Sequence, residues 1–341
     1  MTQYHKALVD AQAVTLETRA AAEARLSEAA FTQFLPDTYV ESDEFRFNTD
    51  EAGGIPAAVY RGWDTEAPFG STTQSFGFSG TIPPISQKMK LTEKDIRANV
   101  TRARDEIVAN AHLNGIAIAQ RSLLARGEAL ETGKFQVAGE NGLHFTVDFQ
   151  RPANHTQTAA AVWTTATTDV IGDLLAWSAV YEATNGYNPG ALLTSTRILN
   201  ALTTNDSIIA EARPGVTGVT RVPRSDVLAV LASYGFDNVV INDDKAIMPD
   251  GTEKRVIADD KVLLLPGAGS SVAGSTLGRT QWGIPTEAFN AEYGIGEGSR
   301  AGLFGANFYG HDPEGFYVLG SGVVLPVLTN AKATFVADVA A

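Results

Sequence analysis

Residues 92–127 carry the feature that most constrains this chain. Ile96, Val100, Ala103, Ile107, Ala111, Ile118 and Leu123 recur at near-helical spacing, which predicts one unbroken helix. Thr92 and Asp95 stand where a capping box would open it, and Gly127 is expected to close it. At about 1.5 Å per residue the helix is on the order of 50 Å long. It holds six basic residues (Lys94, Arg97, Arg102, Arg104, Arg121, Arg126) against four acidic ones (Glu93, Asp95, Asp105, Glu106), a net of +2. The whole chain has 26 Lys and Arg against 39 Asp and Glu, a formal charge of −13, so this helix is the basic element of an acidic protein. That balance argues against sequence-specific nucleic-acid recognition, which relies on a basic face.

The segments around it differ in kind. Val9 to Phe34 is Ala-rich and helical, with Leu16, Ala20, Leu26, Ala30 and Phe34 as an approximate apolar stripe and a stop at Pro36. Residues 1–50 hold four basic and nine acidic residues, a net of −5, and are expected to form a mobile or partner-dependent arm. From Phe45 to Leu91, Gly53-Gly54, Gly62, Pro68, Gly70, Gly77, Gly80 and Pro83-Pro84 punctuate short aromatic and β-branched runs. This predicts a long β-hairpin excursion, of the sort that serves a function or reaches a partner. Beyond the long helix, alternation in 134–137 and 143–149 predicts a hairpin turning through 139–142. A helix is predicted from Thr168 or Asp169 to Asn185-Gly186, with Val170, Leu174, Trp177 and Tyr181 on one face. Strands are expected at Ala191–Thr194, Asn238–Asn242 and Lys261–Leu265, and a helix at Ser225–Tyr234 with Gly235 after it. The closing segment from Gly315 to Val339 reads as strands around Pro326 and Asn330. The fold class is α+β.

Chemistry is poorly represented. With no Cys, disulfides, thiolate catalysis and Cys-ligated zinc are excluded. No apolar run approaches the roughly 20 residues of a bilayer span, so no membrane partner is expected. Met1 to Asp10 lacks a signal-peptide pattern, and the presence of Met1 argues against a removed propeptide. The five His (His5, His112, His144, His155, His311) form no HxxxH or HExxH pair. The Gly-rich run from Leu265 to Gly278 lacks GK[ST] and GxGxxG and does not lead into a helix, so it reads as a surface loop. Pro249-Asp250-Gly251 reads as a hairpin turn rather than a calcium loop. There is no GxSxG elbow, and the carboxylates are scattered. Trp63, Trp163, Trp177 and Trp282 read as core or interface anchors. No catalytic, cofactor-binding or metal-binding residue is expected. A long excursion, an acidic arm and one long helix instead suit a protein whose binding surface serves subunit contacts.

Taken in order, these segments resemble the Hong Kong 97-type phage coat fold, and more closely the lambda-type major head protein family. The resemblance rests on the lead-in IPPISQKMKLTE, the helix ending ARGEALETGKF, the segment VWTTATTDVIGDLLAW, the run TLGRTQWGIPTEA and the ending VVLPVLTNAKATFVADV. It covers most of the chain from about Phe45 onward. It implies an arm at 1–48, an extended loop at 49–91, a peripheral domain at 92–186 and 300–322 built on the long spine helix, and an axial domain at 187–299 and 323–341. It also implies pentamers and hexamers closing an icosahedral shell around double-stranded DNA, with portal and scaffold proteins and in some cases a decoration protein as partners. The chain departs from the pattern in two ways. Lys6 is the only lysine in residues 1–87, so the loop has no lysine near its tip to form the isopeptide cross-link of one branch of this fold. No scaffold-like segment precedes the arm, which implies a separate scaffold or none.

Trp63, Phe69, Phe76 and Phe78 of the loop are the expected intersubunit contacts. Arg97, Arg102, Arg104 and Arg121 of the spine helix are the expected weak, non-specific DNA contacts. Two other readings compete: an encapsulin-type shell holding an enzyme cargo, which DNA-filled particles would exclude, and a soluble α/β hydrolase or lectin-like binding module, which would sediment as a small species.

Overall fold

The computed structural model describes residues 8–42, 44–48, 77–91, 100–140, 142–267, 277–293, 295–296, 300–311 and 314–340. Its first element is helix α1 (Ala11–Glu28), opened by the Asp10 side chain, which accepts from the Gln12 N–H. The buried face of α1 is Ala11, Val14, Thr15, Thr18, Ala21, Ala22 and Leu26; of the expected stripe Leu26 and Phe34 are buried, while Ala20 and Ala30 are exposed and Leu16 is 67% exposed. A single 3₁₀ turn (Ala30–Phe34) buries Phe31 and Phe34. Strand β1 (Asp37–Tyr39) follows, then β2 (Glu44–Asn48), β3 (Gly77–Thr81) and β4 (Pro84–Leu91).

Helix α2 (Val100–Thr132) is the spine. Ala103, Ile107, Ala111, Ile118 and Leu123 are buried, as the period predicts. Thr92, Asp95 and Ile96 lie outside the described residues. The helix does not stop at Gly127. It runs on to Thr132 and ends at Gly133, which takes the left-handed conformation (φ +69°). Gly127 is needed for close approach: a Cβ there would lie 2.0 Å from the Val256 carbonyl oxygen. Gly115 does the same for α1, since a Cβ would lie 2.2 Å from the Thr18 carbonyl oxygen.

This contact corrects the picture of a mobile arm. Residues 11–35 pack along α2 and across the first sheet. The Thr15 hydroxyl donates to the Gly305 carbonyl (2.8 Å), and the Arg19 Nε donates to the Leu303 carbonyl (2.7 Å). Small side chains let two helix backbones approach closely, so the burial comes from Ala and Thr, which carry little weight in a hydrophobic period.

The remaining strands and helices are β5 (Lys134–Glu140), β6 (Leu143–Asp148), β7 (Thr156–Thr158), α3 (Val170–Asn185), β8 (Ala191–Thr194), α4 (Thr196–Leu202), α5 (Asp206–Ala212), α6 (Arg224–Ser233), β9 (Asn238–Ile241), β10 (Lys245–Ile247), β11 (Glu253–Arg255), β12 (Lys261–Leu265), β13 (Gly278–Trp282), β14 (Phe304–His311), β15 (Glu314–Leu328) and β16 (Phe335–Asp338). Helix α3 buries Val170, Leu174, Trp177 and Tyr181, starts at Asp169 and stops at Gly186 (φ +76°), as its sequence predicts. Gly235 (φ +93°) follows α6, and Gly251 (φ +84°) turns the β10–β11 hairpin at the predicted site.

Two five-stranded sheets organise the described residues. In the first, β15 pairs antiparallel with β14 and β4 along its first half and with β13 along its second, and β1 joins β13 in parallel. Strand β15 passes straight through Pro326, which faces Thr280. The Thr280 N–H is directed to the Pro36 carbonyl (2.8 Å), so the two face each other at a non-hydrogen-bonded position, where the missing proline N–H leaves no ladder bond unmade. The second sheet runs β7-β16-β12-β8-β9. One continuous core joins the lower half of α2 to both sheets, from Leu123 and Leu130 to Leu263, Leu265, Val327 and Phe335.

Candidate assembly surface

The excursion begins and ends in a two-stranded ribbon. Strands β2 and β3 are antiparallel, from Glu44 opposite Thr81 to Asn48 opposite Gly77. An isolated ribbon is marginal in water, but Phe45 anchors the root of this one. Its ring is buried and meets Phe145 of β6 edge-on at 6.2 Å. Gly80 faces that ring so closely that a Cβ would lie 2.9 Å from it. Phe78 is opposite Phe47 in the register. Trp63, Phe69 and Phe76 lie outside the described residues. Sequence reasoning missed Phe45; its signal was an aromatic placed just before the Gly-rich excursion.

The arginine candidates among the described residues lie at two places along α2. Arg97 lies outside the described residues. Arg102 is exposed and 3.9 Å from Glu106, one turn along α2, and Arg104 is exposed. Arg121 lies more than four turns further along, about 25 Å away. It lines a groove of about 790 Å³ formed by Pro83–Gln87, α2, β5–β6 and the β10–β11 hairpin. Among the described residues, Arg102 and Arg104 thus lie near one end of the rod and Arg121 well along it, so these three form no single patch.

Other polar groups act as joints. The Arg126 guanidinium is fully buried, bonded to the Asp37 carboxylate and to the Leu35 carbonyl (3.3 Å). Asp37 also accepts from the Trp282 indole N–H. Burial pushes the Arg126 guanidinium below its ordinary value, and the Asp37 charge opposes that shift. Arg151 donates to the Leu130 and Glu131 carbonyls at the C-terminal end of α2 and to the Thr334 hydroxyl, where a cation complements the helix dipole. Burial lowers its pKa to about 10. His155 is buried between the Thr334 carbonyl (3.0 Å) and the Thr184 hydroxyl (2.9 Å), and burial lowers its pKa. His112 Nδ1 meets Glu17 at 2.9 Å between α2 and α1. Trp163 stacks on Trp177 at 5.5 Å, and its indole N–H donates to Asp173. Among the described residues no cluster of His and carboxylates could hold a metal ion, and no helix is long and apolar enough to cross a membrane.

Residues 9–339 match the family described as phage major capsid protein E. The chain belongs to that family. The phage head protein is therefore a structural component of the virion, the repeated subunit of an icosahedral shell, and not an enzyme. Its α+β architecture is the Hong Kong 97-type coat fold. A protein of E. coli CFT073 described as a prophage capsid protein superposes with a TM-score of 0.59 at 16% identity, over 94% of this chain and 99% of that one. A phage-related protein of Bordetella bronchiseptica RB50 gives 0.53 at 13% identity, over 95% and 96%. Comparison with curated proteins gives no match. Membership of a phage coat family over nearly the whole chain replaces the hydrolase and binding-module reading, and favours the phage head over an encapsulin compartment.

Proposed function

We propose that this capsid protein assembles as pentamers and hexamers around double-stranded DNA in the host cytoplasm, guided by a portal and a scaffold and joined in some particles by a decoration protein. The arm at 1–48, the loop at 49–91, the peripheral domain at 92–186 with 300–322 and the axial domain at 187–299 with 323–341 are the working units. The observation that carries this reading is the β2–β3 ribbon, which roots the excursion on the spine side of the molecule through Phe45. From that root Trp63, Phe69, Phe76 and Phe78 serve a neighbouring subunit, where a buried aromatic contributes on the order of 2 kcal/mol. Expressed with its phage partners, the protein pellets as closed shells, and mature shells boiled in detergent run as single chains, because neither Cys nor a lysine near the loop tip is present to cross-link them. A protein that stays monomeric at every salt concentration overturns the assembly reading, and a boiling-resistant ladder overturns the non-covalent one.

The same chain grips its genome weakly. Its charge of −13 opposes DNA approach, and Arg97, Arg102, Arg104 and Arg121 give too few contacts for a strong counterion-release effect. Free subunits leave duplex DNA unshifted in a gel at physiological salt; a stable complex there contradicts this.

A further inference from the structure

The first sheet has one face on α2 and one turned away from it. Phe316 and Val318 of β15 are buried with Ala103, Ile107 and Ala111 of α2. The alternate residues Tyr317 and Leu319 face the other way. Leu319 packs against a cluster of Ile284, Ala288, Ile295, Phe304 and Ala306, which Tyr293 and Ala301 also join and which covers one end of that face. At the other end Tyr317 and Phe308 stack, with ring centroids 5.6 Å apart and planes 17° from parallel. Over them stand two exposed lysines of β4: Lys88, with Nζ 5.1 Å from the Tyr317 centroid and 6.0 Å from that of Phe308, and Lys90, 5.8 Å from Tyr317. Cation–π contact holds each ammonium over the rings without neutralising it. Residues two apart on a strand project from one face about 6.6 Å apart, so Lys88 and Lys90 form a pair of positive charges at fixed spacing on an acidic protein.

The excursion carries the complement. Residues 49–76 contain Asp50, Glu51, Asp64 and Glu66 against Arg61, a net of −3. Asp64 and Glu66 are two apart, as are Lys88 and Lys90, so an extended stretch presents its carboxylates at the spacing of the ammoniums. We propose that the Lys88–Lys90 patch, with Tyr317 and Phe308 beneath it, receives Asp64 and Glu66 of a second copy of this chain. The pairing rests on the reading that the loop serves a neighbour, and it adds the receptor and its charge code. Copies that each carry −13 repel one another, and a matched pair of opposite charges fixes where two of them meet.

Both lysines are exposed, so Lys88→Glu/Lys90→Glu leaves the subunit folded by circular dichroism. Its yield of sedimenting shells falls by about tenfold or more, since like charges across an interface oppose association. Asp64→Lys/Glu66→Lys does the same, and the fourfold variant recovers assembly. Because the chain has no Cys, Lys88→Cys and Glu66→Cys in separate chains report the contact directly. Oxidised shells made from the mixture yield a reducible dimer that neither variant gives alone. Absence of that dimer overturns the proposal. So does normal shell yield from Lys88→Glu/Lys90→Glu while a chain lacking 50–76 fails to assemble, which places the loop's receptor elsewhere and leaves the loop reading standing. Shells of normal yield from the lysine variant that hold no DNA also overturn it, by assigning the patch to nucleic acid. Normal shells from the chain lacking 50–76 sink the loop reading itself.

Discussion

Replacing residues 50–76 with a short Gly-Ser linker yields a folded, soluble capsid subunit that closes no shells. The cut spares β2, β3 and Phe45, so the ribbon root keeps its register and its edge-on contact with Phe145. It also spares the whole described core, which runs through α2 and both sheets. Helix content by circular dichroism and the midpoint of urea unfolding therefore stay near those of the intact chain. The loss falls on association. The replaced segment takes with it Trp63, Phe69 and Phe76, and losing two or three buried aromatics at about 2 kcal/mol each weakens a subunit contact by several orders of magnitude. Electron microscopy of the purified variant, beside intact protein at equal concentration, reads the outcome. Closed shells from the variant show that the anchoring contacts lie outside the loop, and an unfolded product shows that the loop belongs to the core.

Asp37→Ala destabilises the subunit by about 1–3 kcal/mol, because it strands a fully buried guanidinium while the carboxylate removed is itself partly exposed to water. Arg126 has no exposed surface. Without the carboxylate its guanidinium keeps the Leu35 carbonyl, and the Trp282 indole N–H loses the acceptor shown for it. The pair also ties β1 to the spine helix, beside the parallel pairing of β1 with β13, so the damage spreads to the edge of the first sheet. Arg126→Met in the same chain removes the stranded charge. The double variant is then more stable than Asp37→Ala alone, because an apolar side chain of similar length needs no partner. Urea unfolding of both variants decides it. A shift below about 1 kcal/mol for Asp37→Ala, the range of a surface ion pair, shows that water reaches the guanidinium and that the pair is no joint.

Much of the fold is legible where the signal is local. Helix α3 has its cap at Asp169, its stop at Gly186 and four buried residues a turn apart; each depends on neighbours within a few positions. The β5–β6 hairpin announces itself by alternation, and the β10–β11 hairpin by Pro249-Asp250-Gly251 at its turn. The order of such segments carries the family resemblance. The assembly surface is less legible. Arg102, Arg104 and Arg121 share a helix but not a patch, because the sequence states their number and not their separation along a rod. Lys88 and Lys90 read as an unremarked part of the lead-in IPPISQKMKLTE. Only pairing of β4 with β15 sets them over Tyr317 and Phe308.

The sequence by itself determined the spine helix, its buried period, the α+β class and the absence of thiol chemistry, since periodicity and composition act within a segment. Tertiary structure alone decided that α1 belongs to the core, that Gly127 admits the Val256 carbonyl instead of ending a helix, and that Asp37 neutralises Arg126. Each of these depends on the distance between atoms far apart in the chain. Ala, Gly and a lone charge acquire their meaning from the backbone brought against them, and no local pattern records that approach.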